Sequence, residues 1–182
     1  MDIEILKAQL SSELFPQPKI DKNTKLASVL VIIYGKQPTI LMIQKSKLLN
    51  KHAGEIAFPG GQWTEDDVDL LGTALRETKE EIGLNISRKD VIGQLENVMT
   101  LNSGFTITPF VTIIDNIPKL HISSEVESVF HIPLVPFLQT LSDDPDPAHN
   151  ILEEMYTFSY ESKIVWGASA RILKHLANRL TL

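Results

Sequence analysis

The order of apolar and polar residues along this chain predicts a protein of alternating strands and helices. Continuous apolar runs rich in β-branched residues indicate buried strands, and turn residues such as those of 36–39 separate them. The predicted strands are 26–35, 40–45, 54–58, 91–101, 105–114 and the two arms of a hairpin within 155–166.

Apolar residues at helical spacing predict four helices, and Gly83 fits the left-handed position that follows the end of the longest one. The helices are expected at the N-terminus (Ile3, Leu6, Leu10 and Leu14), from Asp66 or Asp67 to Ile82, near 133–141, and at the C-terminus (Ile172, Leu173, Leu176 and Leu180). Because helices and strand pairs are interleaved, we expect an α/β fold, an α/β/α sandwich around a central mixed sheet.

Length and composition limit the class of protein. A chain of 182 residues fits one domain, expected at 1–182, with an N-terminal helix and lead-in at 1–24 and a core at 25–182. The formal net charge of −6 argues against a general binder of nucleic acid or of anionic membranes, because no global positive field attracts such partners. The absence of cysteine excludes disulfides, thiolate metal sites and cysteine nucleophiles.

No run reaches the roughly 18 apolar residues that a membrane-spanning helix needs. The acidic, helix-like N-terminus also differs from a signal peptide. We therefore expect a cytoplasmic protein with no membrane partner, either a monomer or a homodimer.

The segment 73–84, TALRETKEEIGL, places three glutamates within five residues: Glu77, Glu80 and Glu81. Like charges one helical turn apart cost about 0.2–0.5 kcal/mol per pair, so the cluster requires an explanation. With Leu75 on the apolar face, all three carboxylates fall on the opposite face and can reach one point in space. A solvated acidic face gives the same pattern, so the helix alone leaves both interpretations open.

The preceding loop favours a metal site. The sequence FPGG at 58–61 follows a predicted strand, and its proline and two glycines let backbone atoms approach a ligand closely. A loop carbonyl together with carboxylates is the oxygen-rich donor set that Mg²⁺ or Mn²⁺ prefers. We therefore predict a divalent cation at the junction of this loop and the acidic helix.

The glycine, the loop and the helix together resemble the signature box of the Nudix hydrolases, G-x5-E-x7-R-E-U-x-E-E-x-G-U, where U is a bulky apolar residue. The matching positions are Gly61, Arg76, Glu77, Glu80, Glu81, Gly83 and Leu84, with Asp67 as the first acid. Eight residues instead of seven separate Asp67 from Arg76, and Thr78 takes a bulky apolar position.

The one-residue lengthening resembles the coenzyme A pyrophosphatase branch of that family. The branch also carries L-L-T-x-T-S-x3-R-x3-G-x3-F-P-G-G before the box. The positions that match in register are Leu41, Ser46, Gly54, Phe58, Pro59, Gly60 and Gly61, and those that differ are Met42, Ile43, Lys45 and Asn50. Asn50 replaces the arginine of the motif, and the resemblance covers roughly residues 25–180.

The resemblance implies metal-dependent hydrolysis of a nucleoside diphosphate derivative, with coenzyme A cleaved to 3′,5′-ADP and 4′-phosphopantetheine. It implies Glu77 and Glu81 as principal metal ligands, with Glu80 and the Gly61 carbonyl as further ligands. Arg76 would orient a carboxylate through charge-assisted hydrogen bonds. Its alternative role is a surface ion pair of little energetic value.

The base that activates the attacking water is less determined. Glu80 is one candidate, and Glu125 and Glu127 in the segment SSEVES are others. A solvated capping turn explains the last two equally well.

Coenzyme A carries a 3′-phosphate besides its diphosphate, so this acidic chain needs local positive charge to bind it. Lys45, Lys47, Lys51 and His52 precede the FPGG segment and form a candidate phosphate-binding patch, with Lys45 or Lys51 replacing the arginine that Asn50 displaces. An ordinary lysine-rich loop is the alternative. Phe105 is a candidate for the pocket wall or for strand packing, whereas Phe58 is expected in the core.

Two rival functions stay open from the sequence. One is hydrolysis of another nucleoside diphosphate, such as ADP-ribose or an oxidised nucleotide, which the Asn50 departure keeps open. The other is a non-catalytic Nudix domain that binds a nucleotide as a regulator, against which the intact set of Arg76 and the three glutamates argues.

Overall fold

A computed structural model of the chain describes residues 1–19, 24–49, 52–101, 103–144 and 155–182. Its helices are α1 (Ile3–Leu10), α2 (Leu70–Ile82), α3 (Leu134–Leu138) and α4 (Gly167–Arg179). Its strands are β1 (Lys25–Tyr34), β2 (Thr39–Lys45), β3 (Ile56–Ala57), β4 (Gly60–Gln62), β5 (Val91–Gln94), β6 (Val98–Met99), β7 (Phe105–Ile114), β8 (Val126–Pro133), β9 (Ser142–Asp143), β10 (Tyr156–Tyr160) and β11 (Lys163–Val165).

The main sheet is mixed, as the sequence predicts. β1 pairs in parallel with β7 along its whole length, and its other neighbours are antiparallel. The sheet follows the order β3-β2-β1-β7-β5, while β8 pairs with β2 and β6 with β7. A second, three-stranded sheet has the order β11-β10-β9.

Alternate side chains of β1 enter two separate cores, one on each face of the main sheet. Leu30 and Ile32 pack with the apolar residues of α2, whereas Val31 and Ile33 pack with those of α1, α3 and α4. This alternation is what a strand buried on both faces requires. The α/β/α sandwich expected from the sequence is therefore confirmed.

Two predicted elements differ from the structure in their pairing. The run 91–101 is not one strand but two, β5 and β6, which pair with different parts of β7. Pro109 lies on β7 between those two pairings and has no N–H, so only its carbonyl bonds there, to the amide of Leu95. β8 was not predicted, because its polar and apolar residues follow no clear alternation.

The start of α2 also differs from the prediction. The helix begins at Leu70 rather than at Asp66 or Asp67, because the Asp69 side chain accepts a hydrogen bond from the Gly72 amide at 2.8 Å and caps it. Arg88 holds that carboxylate from the other side, at 2.6 and 2.9 Å. The predicted end is confirmed: Gly83 has a φ of 70° and follows Ile82 directly.

Candidate active site

The FPGG loop reaches the helix that carries the glutamates because β1 changes its partner along one edge. β2 pairs only with the C-terminal end of β1, whereas β4 pairs with residues Ala27–Val29 of β1. β4 therefore lies beside the first half of β1, facing α2. Gly60 needs its lack of a side chain here, since its φ is 153° and a Cβ would lie 2.3 Å from the Ser28 carbonyl oxygen.

Glu77 lies directly against this loop. A Cβ on Gly61 would be 2.5 Å from Cδ of Glu77, so the glycine is what allows the carboxylate to approach the backbone. The side chain of Glu77 is 19% exposed and accepts a hydrogen bond from Arg76 at 2.8 Å. Glu77 is thus where the sequence predicts it, beside Gly61.

Glu81 is buried, which corrects the expectation that it lies on the solvent face of α2. Its side chain is 3% exposed, whereas Leu75 is only half-buried, so the buried face of the helix is rotated from Leu75 toward Glu81. One carboxylate oxygen pairs with the ammonium of Lys45, and the other accepts a hydrogen bond from the Gly60 amide at 3.0 Å. Burial raises the pKa of Glu81, and the charge and hydrogen bond of Lys45 oppose that rise.

Arg76 connects the acids on the other side of the helix. Its guanidinium donates to both carboxylate oxygens of Asp67, at 2.8 and 3.0 Å, and to Glu77 and Glu80. The hydrogen bonds from Arg76 lower the pKa of Asp67 to about 2, and the bonds to Asp67 raise the pKa of Arg76 above its ordinary value. Asp67, the acid one residue out of the usual spacing, therefore reaches Arg76 despite the longer connection.

The three glutamates do not reach one point, contrary to the geometric expectation. Glu80 is 59% exposed and pairs with Arg76 at 3.0 Å, while Glu81 points into the protein. Across the described residues, no group of three or more acidic, histidine or cysteine side chains is arranged to hold a metal ion. Arg76 and Lys45 instead bind the carboxylates separately.

The donor set nevertheless fits a hard divalent cation. The carboxylates of Glu77 and Glu81 both lie against consecutive residues, Gly61 and Gly60, and offer only oxygen atoms. A protein cation, the Lys45 ammonium, already lies at Glu81, which shows that this position stabilises positive charge. Glu77, Glu81 and the loop backbone are thus the groups that could hold a metal.

A cavity of about 460 Å³ opens beside the same loop. That volume lies in the range of small-molecule sites. Gly60, Gly61 and Lys45 line one end, and the wall continues over β3, the β6–β7 connection and the start of α4. Glu77, Glu80 and Glu81 do not line the cavity themselves, but Gly60, Gly61 and Lys45, which contact Glu77 and Glu81, do.

Three of the residues predicted to bind substrate lie at the cavity, and two lie outside the described residues. Lys45, His52 and Phe105 line the cavity. His52 also pairs with Glu55 at 3.0 Å, and the Lys25 ammonium lies 5.7 Å from the Phe105 ring centroid. Asn50 and Lys51 lie outside the described residues.

Other candidates lie away from the cavity. Lys47 is exposed and pairs with Glu127 at 3.3 Å, and neither of them lines the cavity, nor does Glu125. The segment around the two glutamates leads into strand β8 and not into a helix, so it is not a helix cap. The substrate and base roles proposed for these residues stay predictions.

Sequence reasoning missed the α4 side of the cavity. Trp166, Gly167 and Arg171 line it. Trp166 is 42% exposed at the start of α4, and Arg171 donates a hydrogen bond to the Met99 carbonyl on β6. An aromatic residue followed by glycine before an amphipathic helix was the available signal, but it does not say what the aromatic ring faces.

Comparison with known proteins identifies the box and the fold together. A model of the NUDIX domain matches residues 24–154. A Yersinia pestis protein described as an uncharacterized Nudix hydrolase, NudL, is 36% identical over 163 residues, which cover 88% of this chain and 81% of that protein.

Solved structures agree with the fold. A MutT/nudix family protein from Enterococcus faecalis superimposes with a TM-score of 0.63 at 18% identity, covering 93% of this chain and 65% of that one. The NUDIX domain of Shewanella oneidensis NrtR, solved with ADP ribose, gives 0.54 at 24% identity, with 68% and 81% covered. Among the described residues, every helix is too short or too polar to cross a lipid bilayer.

Proposed function

Since this chain belongs to the Nudix family and is a Nudix pyrophosphatase, we propose that it hydrolyses the diphosphate bond of coenzyme A or of a coenzyme A derivative. Water attacks one phosphorus, the bridging P–O bond breaks, and the products are 3′,5′-ADP and 4′-phosphopantetheine or its acyl form. The observation that carries this proposal is the position of Glu77 and Glu81, both against the Gly60–Gly61 loop at the end of a 460 Å³ cavity.

We propose Glu77 and Glu81 as the metal ligands, with the Gly61 carbonyl as a further donor. The bound Mg²⁺ or Mn²⁺ supplies neutralisation of phosphate charge and a lowered pKa for the attacking water. The hydrogen bonds that Glu77 and Glu81 accept fix their carboxylates in position.

Arg76 is a positioning residue in this scheme. Its bidentate bond to Asp67 fixes the guanidinium, and the remaining donors hold Glu77 and Glu80. Glu80 is the most exposed of the three glutamates, so its carboxylate is accessible to water. We assign Glu80 as the general base on that ground.

The cavity supports a substrate with both charged and apolar parts. Two of its lining residues, Lys45 and His52, suit phosphate oxygens, and two others, Phe105 and Trp166, offer aromatic surface. Coenzyme A joins a phosphorylated nucleotide to a long, weakly polar pantetheine arm, which matches this division. The branch motif from Leu41 to Gly61 favours the same substrate.

The test is product analysis by chromatography after incubation with Mg²⁺ or Mn²⁺. Coenzyme A, its 3′-dephospho form and ADP-ribose are compared at one metal concentration, using wild type, Glu81→Gln and Glu13→Gln. Glu13 is exposed and lies outside the site, so its variant controls for the loss of one charge. We expect 3′,5′-ADP from wild type and from Glu13→Gln, and a loss of at least about a hundredfold in Glu81→Gln.

The alternatives give different results. Turnover of ADP-ribose without turnover of coenzyme A would retain the metal site and refute the substrate. Equal turnover of coenzyme A and its dephospho form would refute a role for Lys45 or His52 at the 3′-phosphate. Full activity in Glu81→Gln would refute the ligand assignment.

A further inference from the structure

The ion pair between Lys45 and Glu81 occupies the position at which the proposed function requires a metal. Lys45 is the last residue of β2, and the β2–β8 register shifts between Gln44 and Lys45. Its side chain is 16% exposed and Glu81 is 3% exposed, so this is a largely buried pair at the cavity wall.

Each oxygen of the Glu81 carboxylate already has a partner. The Lys45 ammonium takes Oε1 and the Gly60 amide takes Oε2. A buried carboxylate without such partners would be strongly destabilising, so in this arrangement the lysine stabilises the folded chain. A divalent cation at the same oxygen would lie close to the ammonium, and the two positive charges would repel each other.

We infer that Lys45 is the built-in counter-ion of Glu81, that it competes with the divalent cation for this carboxylate, and that metal binding moves its ammonium into the cavity. The inference rests on the proposed metal role of Glu81. It goes further by assigning Lys45 an exchange with the metal. Once displaced, the ammonium remains tethered at the cavity wall, where an anionic substrate group can replace Glu81 as its partner.

If this exchange occurs, removing the positive charge of Lys45 should lower the stability of the protein but increase its affinity for the metal. Lys45→Met lacks the counter-ion, so the metal-free protein is expected to melt about 5–10 °C lower than wild type. The same variant lacks the competitor, so Mn²⁺ alone is expected to bind on the order of tenfold more tightly. If Lys45 only supported packing, its substitution would lower the melting temperature without tightening Mn²⁺ binding.

The binding test uses chelator-treated full-length protein and Mn²⁺, titrated by calorimetry at pH 8, where protons compete least for the carboxylate. The variants are Lys45→Met, Glu81→Gln and the matched control Lys36→Met. Lys36 is exposed in the turn at the opposite end of β2 from Lys45, so its loss removes the same charge elsewhere. We expect weaker binding in Glu81→Gln and wild-type affinity in Lys36→Met.

A second test needs no variant and so stays valid if Lys45→Met fails to fold. Lysine acetylation of wild type by a limiting reagent is followed by mass spectrometry with and without Mg²⁺. We expect labelling of Lys45 to rise several-fold with Mg²⁺, because its ammonium leaves the carboxylate, while labelling of Lys36 stays constant.

The results separate the inference from the function on which it rests. If Mn²⁺ binds wild type and binds Glu81→Gln more weakly, but binds Lys45→Met and Lys36→Met with equal affinity, the metal site stands and the exchange is refuted. Labelling of Lys45 that is unchanged or lower with Mg²⁺ refutes it as well. If Glu81→Gln leaves Mn²⁺ binding unchanged, the proposed ligand and the exchange both fall.

Discussion

The carboxylate of Glu77 packs against the backbone of Gly61 so closely that a Cβ on residue 61 would lie 2.5 Å from Cδ of Glu77. This contact joins β4 to the middle of α2, and it places one of the proposed metal ligands. An added Cβ at residue 61 would displace the carboxylate of Glu77, because a flexible side chain moves more easily than the backbone.

Gly61→Ala is therefore expected to displace Glu77 while leaving the fold intact. We expect kcat for the diphosphate substrate to fall about a hundredfold, because a ligand shifted by about 1 Å no longer aligns the reaction. The melting temperature should change little. Gly72→Ala is the matched control, because its Cβ would meet Asp69 at an ordinary 3.5 Å, and alanine is favoured in a helix. Loss of activity in both variants would contradict the argument.

Arg76→Lys tests whether the guanidinium fork positions the acids. Lysine keeps the positive charge but cannot bind Asp67 through two parallel hydrogen bonds while also holding Glu77 and Glu80. We expect kcat to fall about 10- to 100-fold, with a smaller change in KM. Steady-state kinetics of Arg76→Lys beside Lys79→Arg, an exposed neighbour on α2, would show this, and wild-type kcat in Arg76→Lys would refute it.

Asp67 should make the stability of the protein decrease at acidic pH. Its pKa is lowered from 3.8 to about 2, first by the hydrogen bonds from Arg76, and its side chain is only 6% exposed. The ionised form is therefore favoured by folding, and its contribution of about 2 kcal/mol is present above pH 4 and disappears as the pH falls from 4 to 2.

Urea unfolding of wild type and Asp67→Asn between pH 6 and pH 2.5 measures this contribution. We expect the difference in unfolding free energy to be largest at pH 6 and to shrink toward pH 2.5. A difference that stays constant with pH would mean that the carboxylate charge is not what stabilises the fold.

Trp166→Ala tests the apolar wall of the cavity. The indole lines the cavity and is 42% exposed, so its removal should cost little stability. We expect KM for the proposed substrate, coenzyme A, to rise about five- to tenfold with kcat nearly unchanged, since the variant loses an aromatic contact and none of the proposed metal ligands. Ile164→Ala removes a comparably exposed apolar side chain outside the cavity and should leave KM unchanged.

The strands and helices of this chain could be predicted where a local pattern decides them. The apolar run 26–35 became β1, 105–114 became β7, and Gly83 ended α2 in the left-handed conformation. In these cases the sequence period or a single glycine already specifies the backbone, because the physical constraint acts within a few residues.

Local patterns were insufficient where pairing or packing decides. β4 has two glycines and a glutamine, which carry no strand signal, and it exists because β1 offers an unpaired edge. Glu81 looked like a surface residue from its helical angle, yet it is buried, because the Gly60 amide and Lys45 provide partners for its carboxylate.

The sequence by itself determined the long strands, the four helices, and the loop and acidic helix of the family. Only the tertiary structure decided how their residues pair. Lys45 and Glu81 are 36 positions apart, and Arg171 and Met99 are 72 apart. Which charges meet, and which side chains enclose the cavity, depend on how the sheet orders its strands, and no pattern within one strand or one helix carries that information.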